Sequence, residues 1–275
     1  MHSTTPSPVS LANAQPAERP SVSVPSWPLP DWGLALLIAP FVGSFIGVLI
    51  TRLPVGARVV LARSSCPSCD HALGIRDLVP VLSWAFLRGR CRHCAASIGL
   101  FYPGIELAAV LISVWAALVL PGALVFAGVI LGWTLLALGV IDQRHEILPD
   151  ALTLPLIAAG LGVAYMVDPA SLRDHAIGAA AGFAAFFIIR IAYRAIRGRE
   201  GLGMGDAKLL AAGGAWVSWP GLPGIVLWAA VAGLAGALMR ALTGRRVTAA
   251  DRIPFGPYLC GGCWLVWLYG PLVLG

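Results

Sequence analysis

Residues 107–142 read "LAAVLISVWAALVLPGALVFAGVILGWTLLALGVID" and carry no charge until the last position. A helix needs about 20 apolar residues to cross the hydrocarbon core of a bilayer, so this run is long enough for more than one. Pro121-Gly122 near its middle breaks a helix and favours a turn. The stretch therefore reads as two crossings joined by a tight turn, and Asp142 falls where the second crossing reaches the membrane face.

The same pattern recurs outward in both directions. Uncharged runs cover 32–50, 151–167 and roughly 176–193, the last ending in Arg190 and Arg194, whose long stems let the charge reach the surface. The run 209–239 is interrupted by "WPGLPG" at 219–224, and 253–275 closes the chain. The expectation is an all-α polytopic membrane protein with about eight transmembrane helices. Composition agrees: 58% of residues are hydrophobic and 12% charged, with a mean hydropathy of +0.83, which excludes an ordinary soluble domain. The first thirty residues differ, with seven Pro, six Ser and no apolar run. They read as a disordered tail, without the basic start and apolar middle of a signal peptide.

Four units are expected: a tail over 1–31, a first transmembrane helix over 32–50, a cytosolic domain over 51–103 and a seven-helix membrane domain over 104–275. Arg and Lys mark the cytosolic side. Of nineteen, seven lie between the first and second crossings, one between the third and fourth, five around the fifth and sixth, and four between the seventh and eighth, leaving Arg19 and Arg173 on the other side. Both termini are thus expected outward, in a multi-pass protein of the bacterial inner membrane. Topology explains the net charge of +6, which therefore does not indicate a nucleic-acid partner.

Parity places the sparse acids. Asp142 ends a crossing on the inner side, and Asp206, in "GLGMGDAKLL" at 201–210, begins another on that side. Acids at membrane depth are costly and mark function by default. The structural alternative is helix capping, which suits Asp206 and, after Pro149, Asp150; it does not suit Asp142, because negative charge is unfavourable at a helix C-terminus. Two close carboxylates sharing a proton can act as base and acid on a peptide bond. The positive start of its helix favours an ionised Asp206 as base, and the negative end of its helix a neutral Asp142 as acid.

A second constellation lies in the expected cytosolic domain. Cys66 and Cys69 are followed by Cys91 and Cys94, two C-x2-C units suited to one tetrahedral ion, and the expectation is structural zinc. Cytosolic thiols stay reduced, which argues against a disulfide; a redox pair is the other reading, and His71 and His93 are substitute ligands. Cys260 and Cys263, in "CGGC", read as small buried residues at a helix interface.

The stretches "IDQRHEILPDALT" (141–153) and "GLGMGDAKLLAAGGAW" (201–216) resemble the two signature regions of type IV prepilin peptidases, membrane aspartyl proteases of the GxGD type. "GSFIGVLITRLP" (43–54), "CPSCDHALGIRDLVPVLSWAFLRGRCRHC" (66–94), "YPGIEL" (102–107) and "FGPYL" (255–259) are similar to further parts of that family. The resemblance implies cleavage of the basic leader of prepilin or pseudopilin precursors, serving pili or type II secretion, at the cytosolic membrane face. Asp142 and Asp206 match the catalytic pair, and Gly203 and Gly205 would let an extended substrate strand approach Asp206. It also implies methylation of the new amino terminus with S-adenosylmethionine, the alternative being a peptidase without that activity. Glu106, Arg88 and Arg90 are candidates to line the cofactor site, and Glu146, Asp150 and Glu200 to attract a basic leader. Gly47, Thr51 and Phe101 depart from the family's usual residues.

Overall fold

The computed structural model describes residues 31–59, 64–198, 201–243 and 254–271. The expected tail and Glu200 lie outside the described residues. Eight α-helices are present among them: α1 Asp31–Arg52, α2 Leu82–Phe86, α3 Phe101–Val119, α4 Leu124–His145, α5 Asp150–Val167, α6 Leu172–Arg197, α7 Met204–Leu242 and α8 Gly256–Tyr269. Six of the helical spans, all but those of α2 and α8, are long and apolar enough to cross a membrane. The turn expected at Pro121-Gly122 separates α3 from α4, with Gly122 at φ 52.

Helix α7 has 39 residues, or ~58 Å of straight helix, about twice the hydrocarbon core. It does not run straight. The backbone breaks at Ser218 (φ 58, ψ −180), ahead of Pro220 and Pro223. A Cβ on Gly213 would lie 2.7 Å from Ile225 Cδ1, although twelve helical positions span ~18 Å, so the two arms fold alongside each other. The expected interruption at 219–224 thus falls slightly earlier. Proline's ring clashes with the carbonyl four residues upstream and removes an amide donor, so the break lands between Trp216 and Pro220. The bend gives α7 two arms, within six candidate membrane spans among the described residues. Helix α8, at 14 residues, spans only ~21 Å and falls short of a full crossing.

Helix α1 packs on α3 and α4; α4 and α7 both pack on α8; α5 and α6 pack on α7. At the α6–α7 crossing Gly178 and Gly214 meet backbone to backbone, with no room for a Cβ on either. This close approach is typical of helices associating in lipid. Trp216, Leu131, Leu138, Ile141, Ile225 and Leu259 fill the centre, while Leu111, Leu118, Leu234 and Leu238 point outward, as a lipid-facing surface requires. Ser113 Oγ and Trp133 Nε1 both donate to the Ala109 carbonyl within the bundle, whereas the buried indole N–H groups of Trp264 and Trp267 find no acceptor among the described residues.

Candidate active site and metal centre

The last turn of α4 and the first turn of α7 bring Asp142 and Asp206 within electrostatic reach of one another. Asp142 is 6% exposed, and Asp206 is half-buried. Asp206 is the third residue of α7, and its Oδ2 accepts the backbone N–H of Gly203 at 3.2 Å. That hydrogen bond satisfies an amide at the helix start, as a capping box does. Gly203 is the N-cap and is exposed. Gly205 is half-buried, and a Cβ there would lie 2.8 Å from Leu148 Cβ, so its bare backbone also seats the loop that follows α4.

Asp142 has a partner that local sequence reading does not reveal. Its Oδ2 accepts the N–H of Gly256, the first residue of α8, at 3.1 Å. The contrast drawn between positive and negative helix ends is therefore incomplete, since each carboxylate faces an amide at the start of a helix. A Cβ on Gly256 would lie 2.5 Å from that carboxylate oxygen. The only signal in the sequence is "FGPYL" itself, where Pro257 suits a first helical turn. Cys260, one turn further on, is buried against Gly139 and lies within electrostatic reach of both aspartates. Cys263 is buried near Gly213.

The neighbouring acids sort differently from the expectations. Asp150 is not an N-cap: Pro149 holds that position, and both Asp150 oxygens take Lys208 Nζ at 2.6 and 2.8 Å. Its charge is spent on a bridge between the starts of α5 and α7. Glu146 is exposed at the end of α4, in the left-handed region at φ 54.

Cys66–Cys69 and Cys91–Cys94 form two matching turns. The amide of each first cysteine bonds the carbonyl five residues on (His71, Ala96), and the residue after each second cysteine, Asp70 or Ala95, has positive φ and bonds back to the first cysteine's carbonyl. The four Sγ atoms lie within 4.8 Å of one another, with Cys66 and Cys94 Sγ at 3.9 Å. Zn–S bonds of ~2.3 Å in a tetrahedron put sulfurs ~3.8 Å apart, so the cluster can hold a metal ion of that kind. Backbone N–H groups of Cys94 and His93 lower the Cys91 thiol from 9.0 to about 7, which favours its thiolate, whereas the Cys69 thiol, against a backbone bond from His71, is pushed up to about 12 by burial and the neighbouring thiols. The rings of His71 and His93 lie against each other, tilted by 33° with centroids 3.5 Å apart.

A cavity of about 260 Å³ lies between this cysteine segment and helices α1 and α3. Glu106 lines it and is 5% exposed, and its Oε2 accepts the Val81 amide at 2.7 Å. Arg88 and Arg90 are exposed and are not among its lining residues.

Residues 37–120 match the Bacterial Peptidase A24 N-terminal domain, and residues 129–238 match the Type IV leader peptidase family. Among curated proteins, the chain is 43% identical over 254 residues to a "Prepilin leader peptidase/N-methyltransferase" of Burkholderia pseudomallei (strain K96243), covering 83% of this chain and 82% of that one. It is 38% identical over 266 residues to the protein of the same name from Aeromonas hydrophila, covering 87% and 91%. No solved structure gives a significant match. Two aspartates within electrostatic reach of one another in a helical bundle, a four-cysteine cluster between its first helices and relatedness along most of the length lead to one conclusion: the chain belongs to the type IV leader peptidase family.

Proposed function

We propose that this protein cleaves the basic leader of prepilin or pseudopilin precursors at the cytosolic face of the bacterial inner membrane, with Asp142 and Asp206 as the catalytic pair, and then methylates the amine it has exposed. The observation that carries this reading is that these two carboxylates, 64 positions apart in the chain, lie within electrostatic reach of one another. The names borne by the relatives support both activities. The distribution of Arg and Lys supports a cytosolic site with both termini outward.

Asp206, the less buried carboxylate, takes a proton from a water that attacks the scissile carbonyl carbon. Asp142, protonated, donates to the carbonyl oxygen. Collapse of the tetrahedral intermediate breaks the C–N bond, and the departing amine takes up a proton through the same pair. Exposed Gly203 leaves backbone free for an extended substrate beside Asp206. Glu146 faces the basic leader. Cys66, Cys69, Cys91 and Cys94 hold a structural zinc ion, which organises a segment too small to fold on its own core. S-adenosylmethionine, when bound, supplies an electrophilic methyl group.

The test is mass spectrometry of the new amino terminus of a co-expressed precursor. Cleavage with the mass gain of one methyl group supports both activities. Cleavage with an unmodified amine supports the peptidase alone, and no cleavage overturns the proposal.

A further inference from the structure

We infer that the cavity between the cysteine segment and helices α1 and α3 is the S-adenosylmethionine site, with Glu106 as the carboxylate that receives the cationic cofactor; this rests on the methyltransferase reading above. The cavity exists only where the cysteine segment docks on the membrane helices, since Ser44 and Val48 of α1, Tyr102 and Glu106 of α3, and Asp77 and Trp84 of the segment all line it. Arg52 and Arg92 line it too, and apolar and aromatic walls with convergent polar groups are the usual make-up of a small-molecule site.

Glu106 is the decisive group. Burying a carboxylate is expensive unless it is paired, and here a backbone amide approaches one oxygen while the side chain lines an open cavity. That amide belongs to Val81, which is held at φ 58, a strained conformation of the kind found at ligand sites. Asp77, the other acid in the lining, is already bonded to Arg92 at 2.9 Å, which holds its carboxyl below the usual range. A sulfonium compound with a purine ring meets this chemistry: Glu106 faces the positive end, and the rings of Trp84 and Tyr102 offer faces for the base. Trp84 is fixed by its Nε1 bond to the Ile98 carbonyl at 3.0 Å. Tyr102 lies against Gly47, where a Cβ would be 2.7 Å from its ring, so the departure at position 47 makes room for this wall.

The start of α3 also reaches the aspartate helix. Phe101, next to Tyr102, carries the Arg144 guanidinium 3.9 Å above its ring, and Arg144 is two residues from Asp142. The start of α3 thus bridges the cavity and the aspartate helix. In the transfer, the lone pair of the free amine forms the new N–C bond, the S–C bond breaks with its electrons going to sulfur, and the nitrogen releases one proton to solvent.

The experiment uses the full-length, zinc-loaded protein in detergent and measures S-adenosylmethionine affinity by calorimetry, together with zinc content and precursor cleavage. Glu106→Gln, which keeps an acceptor for Val81, and Ser44→Leu, which fills the cavity, are each expected to weaken binding at least about tenfold with cleavage and zinc unchanged. If either variant loses zinc, the other decides. Wild-type binding matched by both variants overturns the assignment while leaving the methyltransferase reading intact. A wild-type protein that cleaves but neither binds nor methylates overturns that reading, and the assignment with it.

Discussion

The N–H of Gly256 donates to Asp142 Oδ2 at 3.1 Å, joining residues 114 apart and fixing one candidate catalytic carboxylate against the start of α8. A methyl group at position 256 would sit 2.5 Å from that oxygen and must push the carboxylate aside. Gly256→Ala is expected to lower precursor cleavage by about 10²-fold, the scale associated with displacing a reacting group by an ångström. Circular dichroism should find the helical content retained. Near-normal cleavage in the folded variant would show that the bond does not position Asp142.

Lys208 and Asp150 tie the start of α7 to the start of α5, with Lys208 two residues beyond Asp206. Their side chains are 25% and 56% exposed, and partly exposed pairs are worth ~0.2–1 kcal/mol. Lys208→Ala and Asp150→Ala should therefore each reduce cleavage by less than about tenfold, with non-additive effects in the double variant. Additive losses in a double-mutant cycle would mean that the two residues act separately.

The sulfur cluster should bind one zinc ion per chain, measurable by elemental analysis, and Cys69→Ser should lower that content. Because Cys66 and Cys91 line the cavity beside Glu106, chelation should abolish methylation and weaken S-adenosylmethionine binding. The aspartates sit on α4 and α7, outside the cysteine segment, so cleavage should persist. Cleavage that falls in step with zinc would contradict this separation.

The elements legible in the sequence were those set by local chemistry. Uncharged length and Pro121-Gly122 defined α3 and α4, and the C-x2-C spacing identified the four sulfurs that the fold gathers. Parity along the chain brought Asp142 and Asp206 to one end without any contact information. What stayed hidden depends on tertiary neighbours. Asp150 looked like a cap because Lys208 lies 58 residues away, and Asp142 looked unsupported at a helix end because its partner lies on α8. The bend in α7 fell at Ser218 because proline acts on the turn before it. Phe101, one of the departures from the family's usual residues, holds Arg144 over its ring.

The most direct test of the two-aspartate site is single-turnover cleavage of a purified precursor by Asp142→Asn, Asp206→Asn and the double variant. Groups that act as a unit are predicted to lose activity together, each single variant by about 10³-fold or more and the double variant no further. Cleavage near the wild-type rate in either folded single variant would contradict the assignment.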